Sequence, residues 1–156
     1  MKSESKELVE ENSLDPTCCV VRHITCTSRT VIAAFEAVLR PAGVTAHQFT
    51  VLAALAYGGP MSVNTLADAV GMHPSTTPRK IAPLVRDGLV RVAQGSDRRQ
   101  RVIALTTRGN KALQRAYPLW AKLQREILEE LGPGAWPSIM QSLGAIRAGL
   151  AKLSST

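Results

Sequence analysis

Two clusters hold the residue types that do chemistry on anions. Ser75, Thr76, Thr77, Arg79 and Lys80 stand close together, and Asp97-Arg98-Arg99-Gln100-Arg101 follows after two short apolar runs. Short hydroxyls near a helix N-terminus bond phosphates or base edges, where backbone N–H groups already favour negative charge. Arg79 is long enough for a bidentate contact with guanine, and Lys80 adds charge beside it. An arginine at a protruding turn enters a narrow minor groove, where the potential is most negative. Asp97 would orient a neighbouring arginine through a charge-assisted bond rather than meet nucleic acid itself. The plainer alternatives are hydroxyls that only cap a helix and a turn that is only solvated.

A third cluster bears thiols. Cys18, Cys19 and Cys26 lie near the start of a long apolar periodicity, with Cys19, His23 and Cys26 on one helical face. Arg22, four residues from both Cys18 and Cys26, would favour a reactive thiolate at either. Within one helix Cys19 and Cys26 stand about 10.5 Å apart by the helical rise. A disulfide needs α-carbons roughly 4.4–6.8 Å apart, so a bridge or a soft-metal site would require a second subunit or local unwinding. The plain reading of such cysteines is small core residues. The motifs of catalysis are missing: no Ser/His/Asp ordering, no Gly-rich phosphate loop, no His-Glu-x-x-His, and no histidine beside paired carboxylates. The expectation is a protein that is not an enzyme and uses no cofactor; whether it binds a metal the sequence leaves open.

The charge distribution agrees with a polyanionic partner. The 156 residues carry a formal net charge of +7. Between His73 and Asn110, eight Lys/Arg oppose only Asp87 and Asp97, whereas residues 1–16 are acidic. No apolar run suits a membrane span and the polar start lacks a signal-peptide core, so a soluble, cytoplasmic protein without membrane association is expected.

The elements that must position these groups are mostly helices. Residues 1–16 read as a flexible acidic arm. Thr17 would cap a helix to Leu39, with Val20, Ile24, Val31, Phe35 and Leu39 at helical intervals. Thr45 and Gln48 form a capping box for a helix from about Ala46 to Tyr57. Ser62 or Val63 opens a short third helix ending at Gly71, and a fourth is expected from about Pro74 to Asp87. Residues 89–93 and 102–105 alternate as two strands around the cationic turn. Thr106 or Thr107 starts a long helix to Leu131, kinked near Pro118, and a last helix runs from beyond Gly132-Pro133 to about Leu153. A short helix, a turn, a second helix and a basic hairpin make a winged helix-turn-helix. The fold class is therefore mostly α, an α+β winged helix: a DNA-binding lobe at 45–106, an N-terminal helix at 17–44, and C-terminal helices at 107–156. The long flanking helices exceed what so small a lobe needs, and their natural partner is a second subunit.

Leu-Ala-x-x-x-Gly-Met-x-x-Ser-Thr, Pro-Leu-Val-Arg-Asp-Gly-Leu-Val at 83–90 and Asp-Arg-Arg-x-Arg-x-x-x-Leu-Thr at 97–106 resemble the pattern of the MarR (multiple-antibiotic-resistance regulator) family. Thr-Ser-Arg in the first helix and Leu-Thr-x-x-Gly at the fifth match as well, and the resemblance covers roughly residues 18–150. It implies a homodimer with intertwined terminal helices, recognition helices in successive major grooves of a palindromic operator, and wings in flanking minor grooves. Arg99 matches the family's minor-groove arginine and Asp97 its partner. The resemblance also implies a pocket between the dimerisation helices and the DNA-binding lobe, suited to aromatic carboxylates. Arg22, His23, Arg29 and His47 are the nearby groups able to pair with such an anion, although either histidine could equally be structural and Arg29 a salt-bridge partner. One departure stands out. The family's recognition helix usually has Thr-Leu-Thr-Arg where this chain has Thr76-Thr77-Pro78-Arg79. Either the helix starts with Thr77 as its cap and Pro78 first, or it is kinked there.

These readings converge on a transcription regulator, expected to repress by occupying an operator and to be released by a small aromatic acid. Two alternatives stay open. One is a repressor that senses redox state, metal or metalloid through Cys18, Cys19 and Cys26. The other is an architectural protein indifferent to DNA sequence.

Overall fold

Thr45 marks where connector becomes helix: its hydroxyl accepts the N–H of Gln48 at 3.1 Å, while Gln48 Oε1 accepts the N–H of Thr45 at 3.0 Å. Ser62 and Thr106 do the same work elsewhere, accepting the N–H groups of Thr65 and Gly109. These caps satisfy donors that a helix start leaves orphaned. A computed structural model describes residues 16–94 and 101–154. Its elements are α1 (Val20–Leu39), α2 (Ala46–Gly58), β1 (Met61–Ser62), α3 (Val63–Ala69), α4 (Thr77–Arg86), β2 (Val90–Gln94), β3 (Arg101–Leu105), α5 (Thr107–Leu131) and α6 (Ala135–Leu153).

The sheet has the order β1-β3-β2 and is antiparallel throughout. Strand β1 was not foreseen: two residues after Gly-Gly-Pro pair with β3 in the register Met61 to Ile103 and Ser62 to Val102. Strands β2 and β3 pair from Val90–Leu105 out to Gln94–Arg101, and the turn between them, Asp97, Arg98 and Arg99 included, lies outside the described residues. One apolar core joins the sheet to the helices. Leu52 of α2, Leu66 of α3, Leu84 of α4, Val90 of β2 and Ala116 of α5 are all buried in it, as is Leu39 at the end of α1. Gly109 lets α5 leave the sheet closely: a Cβ there would overlap the carbonyl oxygen of Leu89 and meet Leu105 at 2.9 Å. Helix α5 runs through Pro118 as one helix.

Two expected helix starts shift. Residues Pro16–Cys18 form a 3₁₀ turn, and Cys19, in extended conformation, precedes α1. Thr17 is therefore not the cap; its carbonyl instead accepts from His23 Nε2. Only Cys26 of the three cysteines sits within the helix, so the regular four-residue relation of Cys18 to Arg22 does not hold. Helix α4 begins at Thr77, not Pro74. The carbonyl of His73 gathers the N–H groups of Thr76 and Thr77 and both their hydroxyls at 2.9–3.2 Å, closing a turn before the helix proper. Pro78 then falls in the first turn, where its missing N–H would have had no helical partner anyway.

Candidate nucleic-acid interface

Helix α3, the turn through Gly71 (φ +66°) and helix α4 build a helix-turn-helix. A left-handed residue there is natural for glycine, which lacks the Cβ that makes positive φ unfavourable. On the exposed start of α4 and the turn before it stand Ser75, Thr76, Arg79 and Lys80. The Ser75 hydroxyl is 2.8 Å from His73 Nδ1, and Ser75 N–H also points at that nitrogen at 3.4 Å. His73, which the sequence reading passed over, thus holds the leading hydroxyl in place. Thr77 departs from the expectation. Its side chain is wholly buried and its hydroxyl donates to the His73 carbonyl, so it closes the turn from inside and presents nothing at the surface.

The wing enters through its described ends. Arg101 is exposed at the first position of β3, opposite Gln94. Arg91 on β2 and Arg108 at the start of α5 are exposed as well. Arg86 is already engaged, donating from Nε to Asp87 at 3.0 Å. Arg98 and Arg99 fall among the residues not described.

A cavity of about 430 Å³ is lined mainly by α1, α2 and α5. Phe35 and Glu36 of α1, His47 of α2, Lys80 of α4, and Trp120 and Gln124 of α5 are on its wall. Trp120 stacks on Phe49 with centroids 5.4 Å apart, which gives one side a flat aromatic surface. Burial pushes the His47 imidazole below its ordinary pKa, nearby Lys80 pushes it further, and Glu36 opposes both. Of the four groups expected to pair with an anion, His47 alone lines this cavity; Arg22, His23 and Arg29 are exposed on α1. The arginine and histidine nearest in sequence to the thiols are thus separated from the space that could hold a ligand. Glu36, Lys80 and Trp120 join it instead, and the sequence reading had not assigned them to it. A carboxylate inside an apolar helix was the signal available for Glu36.

Cys18, Cys19 and Cys26 are all exposed, contrary to the plain reading of cysteines as core residues. Among the described residues no group of three His, Cys, Asp or Glu side chains is placed to hold a metal ion. No helix among them is long and apolar enough to cross a membrane.

Comparisons with known proteins agree with this architecture. A profile described as MarR family matches residues 42–100, the stretch from the second helix to the wing. The Mycobacterium tuberculosis transcriptional regulator MosR, solved in complex with DNA, superposes with a TM-score of 0.74. It is 34% identical, with 85% of this chain and 97% of MosR covered. The Bacillus subtilis (strain 168) uncharacterised HTH-type transcriptional regulator YwoH is 25% identical over 111 residues, 71% of this chain and 81% of its own length. Bordetella bronchiseptica BpsR, whose DNA binding is regulated by 6-hydroxynicotinic acid, has a TM-score of 0.75 at 22% identity, covering 86% of this chain and 96% of its own. That last likeness speaks for the fold alone.

Proposed function

We propose that this chain, which belongs to the MarR family of DNA-binding transcription regulators, works in the cytoplasm as a homodimeric repressor that leaves a palindromic operator when an aromatic acid enters the cavity beside His47. The observation that carries the reading is the make-up of that cavity: α1, α2 and α5 supply most of its wall and α4, the recognition helix, supplies Lys80. A ligand held there touches both the scaffold and the element that reads DNA. BpsR, a neighbour in fold, answers to an aromatic acid, and MosR was seen on DNA; both support the reading without fixing this chain's ligand.

In the proposed complex Ser75, Thr76 and Arg79 meet the major groove. Arg98, Arg99 and Arg101 bring the wing to the minor groove. The dimer uses the apolar residues left exposed on one chain: Val20, Val21 and Ile24 of α1, Leu150 and Leu153 of α6. Two recognition helices must then sit about one helical turn apart, roughly 34–36 Å. Such spacing tolerates little error, so a small shift of α4 relative to α1 and α5 releases the DNA.

A second reading, release through thiol chemistry, is favoured by the exposure of all three cysteines at the start of α1. Fluorescence anisotropy of the reduced protein on its own upstream DNA, against excess random competitor, tests both readings. Binding that resists competitor, weakens about tenfold with Arg99→Ala and loses base preference with Arg79→Ala is the expected result. Equal binding to random DNA would establish the architectural alternative. Release by a thiol reagent but not by aromatic acids, abolished in a Cys-to-Ser variant, would replace the pocket with the cysteines.

A further inference from the structure

Lys80 is exposed on the recognition helix and also lines the cavity. Three side chains bring charge or a titratable group to that wall: Glu36 from α1, His47 from α2 and Lys80 from α4. Helix α5 contributes Trp120 and Gln124, both neutral. Glu36 already serves the fold, its Oε1 accepting the N–H of Ala46 at 2.9 Å where α2 begins. Of the donors on the wall, those of Lys80 and His47 are charged or titratable, beside the neutral indole of Trp120 and amide of Gln124. His47 Nε2 is buried and has no hydrogen-bond partner among the described residues, an arrangement that buried polar atoms rarely keep. Apart from Thr50 and Gln124, the rest of the wall is aromatic and aliphatic, Phe35 and Trp120 included.

Resting on the aromatic-acid reading, we propose that Lys80 and His47 hold the anionic group of the ligand between them, with His47 as the imidazolium, so that the ligand binds with uptake of a proton and is tied to the recognition helix itself. Both ring nitrogens of an imidazolium donate, so Nε2 gains the acceptor it lacks. Without an anion, a charged His47 would be partly buried beside a second cation, and these two effects hold its pKa below the ordinary 6.5 against the opposing pull of Glu36. A carboxylate between the two groups reverses the second effect and raises the pKa. The sign follows: affinity for the anion is lowest well above the bound-state pKa, rises as pH falls through it, and levels off below the ligand-free pKa, which lies under 6.5. Lys80 thereby leaves the set of proposed DNA contacts and becomes the link between ligand and helix.

The test is calorimetric titration of the full-length protein with benzoate and with its neutral isostere benzamide, between pH 5.5 and 8, in buffers of different ionisation enthalpy. Benzoate should bind about tenfold tighter than benzamide at pH 6, the scale of a charge-assisted bond, and its binding should take up protons. Lys80→Gln and His47→Gln should each remove about that factor for benzoate and leave benzamide unchanged, which also shows that the variant is folded; Lys80→Arg should restore part of it. Benzoate binding without proton uptake, or indifferent to both substitutions, overturns the pair and leaves the pocket reading standing. Failure of both compounds to bind at millimolar concentration overturns the pocket reading too.

Discussion

The winged lobe and the helices that flank it dispose of their apolar side chains in opposite ways. Helix α2 sinks Phe49, Val51, Leu52 and Leu55 into one core with the sheet and α3 to α5. Helix α6 is longer, yet among its described residues none is buried, and Leu150 and Leu153 stay more than half exposed. Helix α1 shows both habits: Leu39 at its end is fully buried, whereas Val20 and Val21 at its start are exposed. Exposed apolar area of this extent is uncommon on a monomer unless something covers it. The difference teaches that stability in this chain has two sources. The lobe carries its own together with α5 and the end of α1, whereas the start of α1 and α6 would draw theirs from another copy in the proposed dimer.

Deleting core volume should give the largest effect and fall on the lobe alone. Leu52→Ala removes a side chain with no exposed surface, for which the loss is about 4 kcal/mol including the cavity left behind. Urea unfolding at fixed protein concentration measures it. The same truncation at Leu150 should change stability by less than about 1 kcal/mol at high protein concentration. Comparable losses at the two sites would erase the distinction between the regions.

Next in size is a charge on the flanking face. Ile24→Glu, on the exposed side of α1, should weaken the dimer at least about a hundredfold, because an unpaired carboxylate would be buried in each protomer. Sedimentation velocity reads the dissociation. Circular dichroism should find the helices of the lobe still formed, since Ile24 is not among the core residues. A variant that stays dimeric would move the interface off this face.

What the sequence made legible follows the range of the interactions. The capping box of Thr45 and Gln48, the caps at Ser62 and Thr106, and the alternation of β2 and β3 are written in neighbouring residues, and each stands within a residue or two of its expected place. Strand β1 was illegible because two residues have no pattern of their own; their partner, β3, lies some forty positions away in the chain. Thr77 reads as an exposed hydroxyl from its neighbours and is buried by packing they do not reveal. Lys80 is exposed one step after Arg79 on a cationic helix, as its neighbours suggest, and only the three-dimensional structure shows that it also lines a cavity with residues of α1, α2 and α5. The cationic face was thus visible as a composition, whereas the cavity beside it was not.

The smallest effects come from the helix caps, and they sharpen the comparison because the two regions begin their helices differently. Thr45→Ala removes a hydroxyl that accepts the N–H of Gln48 and should destabilise the lobe by about 1 kcal/mol. Helix α1 starts instead at Cys19, which has the extended conformation of a cap (φ −62°, ψ 111°) and no side-chain cap bond. Cys19→Asp supplies the missing acceptor and a negative charge beside the helix N-terminus, worth about 0.5 kcal/mol at an exposed end. Since the start of α1 contributes nothing to the core of one chain, that gain should stay local. Hydrogen exchange should slow about twofold at the amides of Val21 and Arg22, with the unfolding midpoint of the lobe unmoved. A rise in that midpoint equal to the local gain would mean that the two regions unfold as one, and that the dimer helices and the lobe are a single cooperative unit.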